Sequence, residues 1–165
     1  MIKKVLFIRH AKSDWSFPEL ADFERPLNKR GKKDAPEMGR RLRNREDIRP
    51  QLIKVSTAER TKETMDLLKK EAGWENIETV EKDWMYLASA NEYIKSIEKM
   101  HDEIDFVCFC GHNPTVTYVL NYFSGENIDD MPTCAIGLVE FDVESWKHIS
   151  QNSGKLTYYD YPKSK

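Results

Sequence analysis

Val5-Leu6-Phe7-Ile8-Arg9-His10-Ala11-Lys12-Ser13 opens with an unbroken apolar run that stops on a cation and an imidazole. Four consecutive apolar residues, with no polar alternation, read as a strand buried on both faces, as in a parallel sheet. Phe106 to Cys110 repeats the pattern, and Leu52 to Val55 is a weaker third run. Between them apolar residues step by three and four: Ala58, Thr61, Met65, Leu68 and Ala72 on one predicted helix, Ala35, Met38, Gly39 and Leu42 on another. Strand, helix, strand in alternation implies an α/β layered fold.

Pro36 falls inside the earlier helical pattern, where it would remove a hydrogen bond, so that helix is expected to begin near Lys33 or Asp34. Asn91 to Met100 reads as a further helix, and Pro114 to Phe123 as another, closed by Ser124 and Gly125. Ala135 to Phe141 and Leu156 to Tyr159 read as edge strands, and Pro162 to Lys165 as a loose tail.

The length, 165 residues, suits one compact domain spanning 1–165. Lysine and arginine total 26 against 28 acids, a formal charge of -2, which argues against a nucleic-acid partner. No stretch is long and apolar enough for a signal peptide or membrane span, so a cytoplasmic monomer without membrane contact is expected. Cys108, Cys110 and Cys134 are odd in number and lack metal-ligand spacing, and read as buried reduced thiols. The basic run Lys29 to Arg45, broken by Asp34 and Glu37, reads as a solvated helix face, and His101 and His148 as surface residues.

Each strand is followed at once by groups able to bind phosphate: Arg9 and His10, then Ser56 to Arg60, then Gly111 to Asn113. Ligands collect at the carboxyl ends of parallel strands, so one shared site is expected there. Ser56 and Glu59 have capping-box spacing, which sets Arg60 in the first helical turn, where a cation opposes the dipole unless an anion joins it. Asn113 suits an N-cap and Pro114 the first helical position, which would hold His112 just outside a helix N-terminus. An arginine ending a buried strand, as Arg9 does, also needs a counter-charge or water, and a bound phosphate would supply the counter-charge.

Arg9-His10-Ala11-Lys12-Ser13, Arg25-Pro26-Leu27 with Gly31, Ser56-Thr57-Ala58-Glu59-Arg60-Thr61 and Gly111-His112-Asn113-Pro114 together resemble the histidine phosphatase superfamily, most closely its SixA-type phosphohistidine phosphatase branch. The resemblance spans nearly the whole chain. It implies a three-layer phosphoglycerate mutase-like fold, a mainly parallel sheet with an antiparallel edge strand and flanking helices. It also implies that His10 is the nucleophile, that Arg9 and Arg60 grip phosphoryl oxygens, that His112 completes the pocket, and that Ser13, Arg25 and Asn113 contact substrate.

A histidine must be neutral to attack phosphorus, and neighbouring arginines disfavour its imidazolium. Guanidinium groups can also neutralise the transferring oxygens, so neither metal nor cofactor is expected. Many superfamily members place a glutamate after the middle strand; here that stretch reads Asp83-Trp84-Met85-Tyr86-Leu87-Ala88, with Glu81 and Asp83 the acids at hand. Without a dedicated acid an alkoxide leaving group is handicapped, whereas a protonated imidazole is not. The expected substrate is therefore a histidine-phosphorylated protein, with a small metabolite or sugar phosphate, or a non-catalytic phosphohistidine-binding module, as alternatives. Trp15 and Phe17 either wall the pocket or anchor its loop to the core.

Overall fold

A computed structural model describes residues 1–164. Six strands, β1 Ile2–Arg9, β2 Leu52–Ser56, β3 Glu78–Lys82, β4 Phe106–Gly111, β5 Ile136–Asp142 and β6 Gly154–Asp160, form one sheet in the order β3-β2-β4-β1-β5-β6. The pairings among β1 to β4 are parallel; β5 runs antiparallel to β1, and β6 to β5. Four principal helices, α1 Lys29–Arg43, α2 Glu59–Ala72, α3 Ala90–Glu98 and α4 Thr115–Ser124, cover the two faces.

Side-chain alternation along the strands explains the layers. Leu6 and Ile8 of β1 join Ile53, Val55, Cys108 and Cys110 in a core capped by Met38, Leu42, Met65 and Leu68 of α1 and α2. Val5 and Phe7 join Val107 and Phe109 in a second core beneath Tyr93 and Ile97 of α3 and Val116, Leu120 and Phe123 of α4. This is the three-layer arrangement expected from the sequence, with all three cysteines buried and free. No helix among the described residues is long and apolar enough to cross a membrane.

Two boundaries differ from the sequence reading. α1 begins at Lys29, ahead of Lys33, and holds Pro36 in its interior, because the Asn28 side chain caps it by accepting from the Gly31 N–H. The turn that loses a bond to Pro36 carries exposed Lys32 and Lys33. The tail is also tied down: Pro162–Ser164 is a 3-10 turn, with the Ser164 hydroxyl bonded to Asp160 and Arg41 donating to the carbonyls of Tyr161 and Pro162. Lys165, the last residue of that expectation, lies outside the described residues.

Register decides where the site falls. β4 lies between β1 and β2, with Arg9 opposite Gly111 and Val55 opposite Cys110, so the three strands end side by side. Gly111 has no room for a side chain, since a Cβ there would run into the Tyr93 hydroxyl. Gly31 is equally constrained: a Cβ would meet the Lys12 carbonyl, so the first turn of α1 packs directly on the loop after His10.

Candidate active site

His10 is 7% exposed, and its Nδ1 lies 2.7 Å from the main-chain oxygen of Ala11. A carbonyl oxygen only accepts, so Nδ1 carries the proton and Nε2 keeps a free lone pair. Three more bonds fix the loop. The His10 N–H donates to the Gly111 oxygen, the Ala11 N–H to Thr64 Oγ1 of α2, and the Cys134 N–H to the His10 oxygen. Burial above all, with His112, Arg60 and Arg9 adding to it, pushes the His10 pKa down to about 3 against the pull of the Ala11 bond. The ring is neutral at physiological pH, and burial contributes more to this than the neighbouring arginines.

The His112 ring centroid stands 5.2 Å from that of His10. Its Nε2 is 2.8 Å from Ser56 Oγ, which also accepts the Ala58 N–H at 3.3 Å. With the serine hydroxyl donating to Nε2, the imidazole proton sits on Nδ1, a buried atom with no protein partner. Burial first, then Arg60, lowers the His112 pKa to about 4. Among the described residues, four buried side-chain polar atoms lack a partner: Arg9 Nε, Thr57 Oγ1, His112 Nδ1 and Tyr93 Oη. The first three belong to the three strand ends, and each can donate a hydrogen bond. Buried donors are nearly always paired in a folded protein, so this group points to an acceptor-rich anion at the carboxyl edge.

Arg9 reaches the site from the end of β1, with Nη1 bonded to the Met131 oxygen at 2.8 Å. Arg60, 8% exposed, is the second residue of α2. Its Nη1 donates to the Asp22 main-chain oxygen at 2.8 Å, and its Nη2 lies 3.1 Å from Asp22 Oδ2. The same carboxylate takes Arg25 Nη2 at 2.8 Å on Oδ1 and the Tyr86 hydroxyl at 2.6 Å on Oδ2. Tyr86 in turn meets the His112 ring edge-on, with centroids 5.6 Å apart. Arg25 stacks on Trp15 at 3.3 Å from the ring centroid. Trp15 is 74% exposed and Phe17 is exposed too, so neither anchors the loop to the core.

His10, His112, Arg60 and Arg9 therefore gather at one rim, and Arg25 joins them through Asp22. The other expected contacts sit differently. Ser13 is buried and pairs through its backbone with Leu27. The Asn113 amide is spent inside the protein, donating to the Met131 oxygen at 3.1 Å and accepting from Thr117 Oγ1 at 2.6 Å. Accordingly Asn113 does not cap α4, whose N-cap is Pro114. Nor do Ser56 and Glu59 form a capping box: Ser56 ends β2, its hydroxyl goes to His112, and α2 starts from Ala58 without a side-chain cap. Glu81 opens on a separate cleft with Lys62, Asp66 and Lys69, and Asp83 is exposed. Asp22 and Tyr86 escaped the sequence reading. They lie 38 and 26 residues from Arg60 along the chain, in stretches without periodicity, and only the Asp22–Arg25 spacing hinted at pairing.

A groove of about 220 Å³ leads away from His112 between Met85–Ala88 and Asn113–Thr115. Exposed Leu87 stands on its rim, and exposed Phe23 packs edge-on against Tyr86 nearby.

The model of the histidine phosphatase superfamily, branch 1, matches residues 5–83. An uncharacterized protein of Mycobacterium leprae is 29% identical over 170 residues, covering 94% of this chain and 100% of that one. Among solved structures, a proposed phosphohistidine phosphatase SixA from Agrobacterium tumefaciens is 28% identical, with a TM-score of 0.83 over 97% of this chain and 98% of that one. The protein histidine phosphatase SixA complexed with tungstate shares the fold, with 17% identity and a TM-score of 0.80 over 96% and 97% of the two chains.

Proposed function

We propose, because the chain belongs to the histidine phosphatase superfamily, that this phosphatase removes phosphate from a histidine carried on another protein, using His10 as nucleophile. The observation that carries the reading is the Nδ1 bond to the Ala11 oxygen, which leaves a neutral imidazole with its Nε2 lone pair free. In this mechanism Nε2 attacks phosphorus as the bond to the substrate imidazole breaks, and the protonated imidazole leaves neutral. Water then attacks the phosphorus on His10, the P–Nε2 bond breaks, and inorganic phosphate departs. Arg9, Arg60 and the Nδ1–H of His112 stabilise the charge on the transferring oxygens throughout.

Two features favour a protein-borne phosphohistidine over a sugar phosphate. The carboxyl group at the pocket, Asp22, takes bonds from Tyr86, Arg60 and Arg25, and these donors hold its pKa below the usual range, so it has no proton for an alkoxide. The surrounding loops also expose Trp15, Phe17, Phe23 and Leu87, an apolar surface suited to a polypeptide partner. The reading takes the chain as one cytoplasmic domain, acting as a monomer. Turnover on a histidine-phosphorylated carrier protein, set against turnover on sugar phosphates, tests it. Preference for the carrier is expected, and preference for the sugars would overturn the choice of substrate.

A further inference from the structure

Asp22 lies in a loop between Ser13 and Leu27 whose ends are held together by a backbone bridge. Its side chain is 48% exposed, yet the two arginine side chains that lean on it are only 10% and 12% exposed. One carboxylate thus joins three segments: its own loop, the first turn of α2 through Arg60, and the 3-10 turn Asp83–Met85 with its successor Tyr86. Arg60 carries five N–H donors. Asp22 takes two of them, on two different nitrogens, through its main-chain and side-chain oxygens. A guanidinium held at two points cannot swing on its long stem, and the loss of that freedom is settled in folding, before substrate binds.

We propose that Asp22 is a positioning residue, which orients Arg60 toward the phosphoryl group and, as its counter-charge, keeps the pocket from holding inorganic phosphate too tightly. The inference rests on reading the pocket as a phosphoryl-transfer site. It separates two effects that ordinarily move together. Removing the carboxylate frees Arg60, which lowers turnover because the cation no longer waits in place for the transition state. It also unmasks positive charge, which strengthens binding of the product anion. A group that acted only by holding the fold would weaken both.

The experiment uses the full chain, with Asp22→Asn, Asp22→Ala and, as a control, Glu24→Gln, which removes an exposed carboxylate two residues away. Affinity for inorganic phosphate is measured by calorimetry, kcat for p-nitrophenyl phosphate by steady-state kinetics over pH, and folding by thermal melts. For both Asp22 variants kcat should fall about tenfold or more while phosphate binds several-fold tighter, with the shape of the pH profile kept. Glu24→Gln should match the wild type. Phosphate affinity unchanged or weaker in the Asp22 variants would overturn the proposal, as would an equal effect of Glu24→Gln. A pH profile of altered shape in Asp22→Asn would overturn it too, since that would make Asp22 a proton-transfer group. A wild type that binds phosphate without turning over the aryl ester would instead refute the phosphatase reading, and the calorimetric comparison would still judge Asp22.

Discussion

Lowering the pH from 7 to 5 should destabilise this protein through its two pocket histidines. His10 and His112 are buried neutral, with pKa values pushed down from 6.5 to about 3 and about 4. For a base with a depressed folded pKa, the unfolded state takes up the proton first. Stability is therefore lost as pH falls below about 6.5, and the loss levels off only below the folded values. At pH 5 the unfolded imidazole is about 1.5 units below its pKa, which at about 1.36 kcal/mol per unit makes about 2 kcal/mol for each histidine. The rings touch, so about 4 kcal/mol for the pair is an upper figure. Urea denaturation at both pH values, in a buffer free of phosphate, measures the loss for wild type, His10→Gln and His112→Gln. Each variant should lose about 2 kcal/mol less than the wild type. A His10→Gln protein that loses as much stability as the wild type would refute the claim that this imidazole is buried and neutral.

The same depression sets the activity profile: kcat/KM should stay high on the acid side past pH 6.5 and fall only below about pH 5, and an acid limb centred near 6.5 would contradict the environment described for His10. Ser56→Ala leaves His112 Nε2 buried without a partner, and should cost about 1–3 kcal/mol in a denaturant melt together with about a tenfold fall in kcat. Tyr93→Phe removes a buried hydroxyl that has no partner and should raise stability by about 1 kcal/mol. Gly111→Ala should cost about 1–3 kcal/mol, and less in the Tyr93→Phe background, because the tyrosine hydroxyl is the atom a new Cβ would strike.

What could be read from the sequence follows from where its signals are local. β1 and β4 stand out because strands buried on both faces must be continuously apolar, and the residues that end them, Arg9, His10 and His112, are conspicuous against that background. β3 passed unnoticed because Glu78–Lys82 is an edge strand with exposed glutamates at both Glu78 and Glu81. Pro36 suggests a later start for α1 than the helix has, because the Asn28 cap that fixes the helix further upstream outweighs the bond lost at the proline. In the site, Ser56 is conspicuous in the sequence for its capping-box spacing, but a hydroxyl three residues before a helix gives no sign that an imidazole 56 residues away claims it. Asp22 is inconspicuous for the same reason: Arg25 is a local partner three residues on, but Arg60 and Tyr86 come from two distant segments that only the folded sheet brings to it.

The central claim is that His10 Nε2 takes up the phosphoryl group. Rapid quench of the enzyme with a phosphate-labelled aryl substrate, followed by peptide mapping, tests it most directly. The label should survive base, be lost in acid, reside on the peptide containing His10 and disappear in His10→Ala. A label stable to acid, one carried by a serine, aspartate or cysteine, or steady turnover by His10→Ala would contradict it.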